Sequence, residues 1–156
     1  MKINLTINNH PKTFIIDPSE LLIDVLRREG YVSVKRGCDE GTCGACVVLL
    51  NGKAVKSCIL LAAQAHEGTI TTIEGVGTRD QPHPLQLAFV DEGAIQCGFC
   101  IPGILLSAKA LLDKTLSPTK EEVKIALDGN LCRCTGYSGQ IKAVLKAAAV
   151  MRGDKK

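Results

Sequence analysis

Eight cysteines divide this 156-residue chain into two groups of four. Cys38, Cys43, Cys46 and Cys58 occupy the first half; Cys97, Cys100, Cys132 and Cys134 occupy the second. In "NLCRCTGY" two of them flank a single arginine, Arg133. A disulfide between residues i and i+2 forces the backbone out of relaxed geometry. Extended backbone at that spacing turns both sulfurs to one side and Arg133 to the other, an arrangement suited to ligation.

The compartment strengthens that choice. The opening "MKINLTINNHPKTFIID" alternates polar and apolar residues and lacks the continuous apolar stretch of a secretory signal. No apolar run approaches the roughly 18 residues that suggest a membrane span. The expectation is a cytoplasmic chain whose thiols stay reduced, which favours metal binding over four disulfides. Nucleic acid is disfavoured as a partner. The formal net charge is +3, the basic residues are scattered, and aromatics are 3% of the chain, so there is no basic stripe with stacking rings.

Hydrophobic periodicity places the cysteines on a fold. Ile3, Leu5 and Ile7 alternate as a strand, "NNHP" turns the chain, and residues 12–16 return. "DPSELLIDVLRREG" reads as a helix with Asp17 as cap, Pro18 at its first position and Gly30 at its end. "CVVLLNGKAVKSC" is a hairpin about Asn51-Gly52. A short helix over 59–65 and a strand in "TITTIEGV" complete a compact α+β unit ending near Val76. The Gly- and Pro-rich "GVGTRDQPHP" reads as a linker, and helices are expected over 85–92, 102–114, 119–128 and 140–151, the third opened by a Thr119/Glu122 capping box. These form a four-helix bundle. The predicted domains are thus 1–76 and 77–156, each small enough for a metal centre to supplement its core.

"GCDEGTCGAC" gives C-x4-C-x2-C, with eleven residues between Cys46 and Cys58. This is the plant-type ferredoxin spacing for a [2Fe-2S] cluster. A core held by four thiolates is an anion that gains negative charge on reduction, so it needs inward-pointing N–H groups; Gly37, Gly41 and Gly44 permit such backbone. Lys35 and Arg36 either offset that charge or face solvent, and Asp39 and Glu40 pair with them or with water. Structural zinc is the alternative, but it favours paired short spacings. The second set, C-x2-C, thirty-one residues, then C-x-C, is by itself open to zinc or iron–sulfur. Its coexistence with the first set favours a second [2Fe-2S] cluster, with Cys97 and Cys100 before a helix N-terminus.

"GCDEGTCGAC", "QCGFCIPG" and "GNLCRCTGY", in that order, closely resemble the small iron–sulfur subunit of the molybdenum hydroxylases, the family of xanthine dehydrogenases, aldehyde oxidoreductases, nicotinate and carbon monoxide dehydrogenases. The resemblance implies a plant-ferredoxin-like β-grasp domain followed by the helical domain, each with one [2Fe-2S] cluster. It implies a large partner subunit holding a molybdenum–pterin cofactor and, in most members, a subunit holding FAD. It also implies that Gln96 and Cys134 approach the pterin. Many members carry threonine where this chain has Ile101.

No catalytic acid, base or nucleophile stands out. His10, His66 and His83 lack ligand spacing and read as solvated. The resulting expectation is an electron-transfer subunit relaying single electrons from molybdenum–pterin toward flavin. "VSVKRGC" and the compact linker lean toward a xanthine or purine dehydrogenase over aldehyde, nicotinate or carbon monoxide enzymes. A free-standing two-cluster ferredoxin and a zinc-stabilised interaction module are the alternatives.

Overall fold

A computed structural model describes residues 1–154; residues 155 and 156, at the end of the second predicted domain, lie outside the described residues. β1 (Lys2–Ile7) and β2 (His10–Ile15) form the first hairpin. Its turn is Asn8-Asn9, both at positive φ, so the return strand begins at His10 and includes Pro11. Ile3, Leu5 and Ile7 are buried and alternate with more exposed neighbours, as one-sided burial demands. β3 (Val47–Leu50) and β4 (Lys53–Lys56) turn at Asn51-Gly52, again both at positive φ. β5 (Thr69–Thr71) lies between the hairpins, parallel to β1 and antiparallel to β3, giving the order β2-β1-β5-β3-β4.

α1 (Leu22–Arg28) covers one face of this sheet with Leu22, Ile23, Val25 and Leu26. It starts later than the sequence predicts. Asp17 caps a turn through the Ser19 amide at 2.8 Å, and Leu21 is drawn into an isolated bridge with Leu61. The amides of Leu22 and Ala62 donate to the carbonyls of Leu60 and Glu20, each at 2.8 Å. That pairing holds Leu21 extended, so the helix begins beyond it. It also splits the helix expected over 59–65 into 3₁₀ turns at Ser57–Ile59 and Ala62–Ala65. The strand expected through Val76 ends at Thr71 and passes into a 3₁₀ turn at Ile73–Gly75.

The second half contains α2 (Pro84–Asp91), α3 (Ile101–Leu112), α4 (Lys120–Leu127) and α5 (Ser138–Arg152). Thr119 and Glu122 form the expected capping box on α4. At α2 the cap is His83, whose Nδ1 accepts from the Leu85 amide at 3.2 Å; half-buried, it is not the solvated histidine the sequence suggested. A second core gathers Leu85, Phe89, Ile104, Val123, Val144 and Ala147.

α3 has apolar contacts on both sides. Ile104, Leu105 and Ala108 face the helical core, while Leu106 and Ala110 pack on Val47 and Leu49 of β3. β3 is therefore buried on both faces, with Val48 in the first core. Each fully buried aliphatic side chain contributes about 1.5–3 kcal/mol, so this seam couples the halves.

Candidate metal centres

The first four cysteines sit at one end of the sheet. Cys38 and Cys43 lie in the loop after α1 and are partly exposed; Cys46, just before β3, and Cys58, just after β4, are buried in the first core. The loop is folded by its own groups. The Cys43 amide donates to Cys38 Sγ at 3.4 Å and the Ala45 amide to Cys43 Sγ at 3.5 Å. Lys56 Nζ donates to the Gly41 carbonyl at 2.5 Å. Ser57 Oγ donates to the Cys46 carbonyl at 2.7 Å, tying the fourth ligand's element to the third's. Gly37 is needed for space rather than for φ: a Cβ there would lie 2.8 Å from Cys43 Sγ. Arg36 pairs with Asp24 and Asp39, so the guanidinium is engaged with acids and Asp39 answers it as expected.

The first-set thiols lie near enough to perturb one another: Cys38 and Cys58 both act on Cys43, and Cys46 and Cys38 both act on Cys58. The Thr42 hydroxyl and the Cys43 amide bring the Cys38 thiol down to about 6. Burial and its neighbour Cys46 push Cys58 up to about 11. Ligation requires thiolates, so metal uptake at Cys58 displaces a proton.

The second-set thiols also act on one another: Cys97 and Cys132 on the exposed Cys134, and Cys132 on Cys100. Cys100 is the N-cap residue of α3. Burial, with Cys132 beside it, pushes its thiol up to about 11. Burial also raises Cys132, but the Thr135 side chain and amide outweigh it and bring that thiol to about 7. Tyr137, at φ 66 ahead of α5, locks the C-x-C loop. Its hydroxyl accepts from the Cys132 amide at 2.7 Å and donates to the Asn130 carbonyl at 3.2 Å. Gln96 Nε2 donates to the Cys134 carbonyl at 3.2 Å, and both residues are exposed. Arg133 is exposed between the two sulfurs' residues. Ile101, the first residue of α3, is buried in the helical core.

The two cysteine loops touch. The Leu131 amide donates to the Cys43 carbonyl at 2.8 Å, and the buried Asn130 Nδ2 donates to the Gly44 carbonyl at 3.2 Å. Gly44 has φ +70, and a Cβ on it would lie 2.3 Å from the Gly129 carbonyl oxygen. A Cβ on Gly103 would lie 2.2 Å from the Gly44 oxygen. Lys35 reaches across the same seam, donating to the Gly98 and Phe99 carbonyls at 3.3 Å each and standing 5.0 Å from the Phe99 ring centre. In the sequence Asn130 and Lys35 are polar loop residues with no local signature of their distant partners, and the lock that Tyr137 places on its own loop leaves no spacing signal either.

Among the described residues, no three His, Cys, Asp or Glu side chains converge on a single-ion site. A tetrahedral zinc draws its donors to one point, whereas a binuclear [2Fe-2S] core takes two thiolates on each iron. Four thiols per set, backbone amides aimed at sulfur, and burial of Cys46, Cys58 and Cys100 on the core side fit the binuclear core.

Comparison with known proteins agrees with that geometry. Residues 5–71 match the 2Fe-2S iron-sulfur cluster binding domain family, and residues 72–145 match the [2Fe-2S] binding domain family. The fold, the two cysteine sets and these matches thus define a protein built from a ferredoxin-like α+β [2Fe-2S] domain and a second, helical [2Fe-2S] domain. The chain is 52% identical over 136 residues to the nicotinate dehydrogenase small FeS subunit of Eubacterium barkeri, spanning 86% of this chain and 87% of that one. The structure superposes on quinoline 2-oxidoreductase from Pseudomonas putida with TM-score 0.91 and 40% identity, covering 99% of this chain and 98% of that chain. It also superposes on the aldehyde oxidoreductase of Desulfovibrio desulfuricans with TM-score 0.95 and 45% identity, covering 99% of this chain but only 18% of that longer one. The chain belongs to the family of small iron–sulfur subunits of the molybdenum hydroxylases. Among the described residues no helix is long and apolar enough to cross a membrane.

Proposed function

We propose that this chain is the electron-relay subunit of a cytoplasmic molybdenum hydroxylase, built from a β-grasp domain over 1–76 and a four-helix bundle over 77–156. Cys38, Cys43, Cys46 and Cys58 hold one [2Fe-2S] cluster; Cys97, Cys100, Cys132 and Cys134 hold the other. When bound, each cluster accepts and releases one electron at a time. The observation that carries the reading is the division of the eight cysteines into two sets of four, with the Cys43 and Ala45 amides aimed at first-set sulfurs and the Leu131 amide on the Cys43 carbonyl joining the two loops.

The chain's own work is positional and electrostatic. Amides of Cys43 and Ala45 point at sulfur, and the cores around Cys46, Cys58 and Cys100 keep water from one side of each centre. Exposed Gln96 and Cys134 form the face that meets the partner's molybdenum–pterin, and the amide of Gln96 offers both donor and acceptor there. A flavin subunit takes electrons onward on the side of the first set. No side chain in this chain is assigned a role in substrate chemistry.

The substrate belongs to the partner. The "VSVKRGC" stretch that suggested the purine branch has internal duties: Val34 is buried, Lys35 binds the second loop, and Arg36 binds Asp24 and Asp39. The lean toward the purine branch is therefore tested on the partner subunit and not on these contacts.

Anaerobic isolation followed by metal and sulfide analysis tests the reading. The expected result is about four irons and four acid-labile sulfides per chain, with two paramagnetic signals after dithionite. Zinc in their place, or a colourless chain, overturns it. Co-purification with a pterin-containing partner separates the subunit from a free-standing ferredoxin.

A further inference from the structure

Gln140, in the first turn of α5, is fully buried. Its Nε2 donates toward Cys100 Sγ at 3.9 Å, and its Oε1 has no hydrogen-bond partner among the described residues. A buried amide oxygen without a partner works against the fold. A leucine of similar volume would fill the same core without that cost. The orientation of the amide follows from chemistry. A thiolate only accepts, so the NH₂ group must face Cys100; the flipped amide would set two acceptors together and strand its donors.

The surroundings make this donor matter. Cys97 and Cys134 are exposed and take donors from water or a partner. Cys100 is 8% exposed, so its donors must come from the chain. Reduction adds negative charge to the centre, and a hydrogen bond to sulfur strengthens with that charge. Burial magnifies the difference between the two states.

We propose that Gln140 is a potential-setting residue for the second centre: its side-chain N–H donates to the Cys100 sulfur and makes that centre easier to reduce. This rests on the two-cluster reading above. The second centre should therefore lose reducibility when the donor is removed, while the first is untouched.

The test is a potentiometric titration of the assembled complex followed by paramagnetic resonance, for the native chain and Gln140→Leu. The expected result is an approximately tenfold fall in the reduced-to-oxidised ratio of one centre at a fixed poise, equal to about 59 mV for a one-electron couple. The other centre stays in place, and the unfolding midpoint is equal or higher. Two signals with neither displaced, or with both displaced equally, overturn the role of Gln140. A second measurement needs no variant: native chain labelled with ¹⁵N in the glutamine side chain should show a hyperfine-coupled ¹⁵N and an exchangeable proton on the second centre. Their absence overturns the proposal. A native chain with no paramagnetic signal after reduction removes the two-cluster reading and this proposal with it.

Discussion

The amide of Leu131 donates to the carbonyl of Cys43 at 2.8 Å. One hydrogen bond therefore links the backbone of a first-set cysteine to the residue next to Cys132 of the second set. The halves are distinct in core and in cysteine set, yet their loops form one seam.

Distinct sets should be separable by substitution. Cys46→Ser removes a buried member of the first set, and Cys100→Ser a buried member of the second. Each should lose one of two paramagnetic signals and about half of the iron, leaving the other signal in place. Loss of both signals from either single variant would show one shared centre instead.

The seam itself is sterically full. Gly44→Ala puts a Cβ against the Gly129 carbonyl at a residue with φ +70. Backbone strain of this sort costs about 1–3 kcal/mol, to which the displaced contact adds. Gly52 also has positive φ but open space around it, so Gly52→Ala should cost less. Denaturant unfolding of both variants checks the ranking, and equal midpoints would refute it.

His83 should give the fold a pH dependence. Burial lowers its pKa, and Lys109 adds to the effect against an opposing contribution from Asp113. Its Nδ1 must also be unprotonated to accept from the Leu85 amide. The folded value lies below the unfolded one, so the unfolded chain takes up a proton that the native chain resists. Stability is accordingly full above the ordinary histidine value of 6.5 and declines as pH falls through it. His83→Asn keeps a capping side chain without the titration. Between pH 8 and pH 5.5 the native chain should lose more of its denaturant midpoint than this variant; parallel losses would count against the assignment.

Gln96→Ala tests the exposed face. The variant loses the hydrogen bond to the Cys134 carbonyl, a contact of about 1 kcal/mol, and the group proposed to meet the pterin. Electron transfer from the partner, followed by stopped flow in the complex, should slow several-fold while both centre potentials stay fixed. An unchanged rate would remove Gln96 from that face.

Local chemistry explains what the sequence made legible. Asn51-Gly52 fixes its hairpin within a few residues, Thr119 and Glu122 cap α4 three residues apart, and four cysteines per half announce two sets. Distant partners explain the rest. Leu21 looks helical until Leu61 pairs with it. Asn130 looks like a turn residue until Gly44 lies beneath it. The spacing of the cysteines assigns them to sets, but not the neighbours each thiol meets, because that depends on how α3 and α5 dock.

α3 also bears on how the molecule is made. Val47 and Leu49 find their cover in Leu106 and Ala110, far along the chain. During synthesis the sheet emerges first, with that oily patch naked. It stays so until the third helix has left the ribosome, a window in which a nascent subunit is sticky and a chaperone has a target.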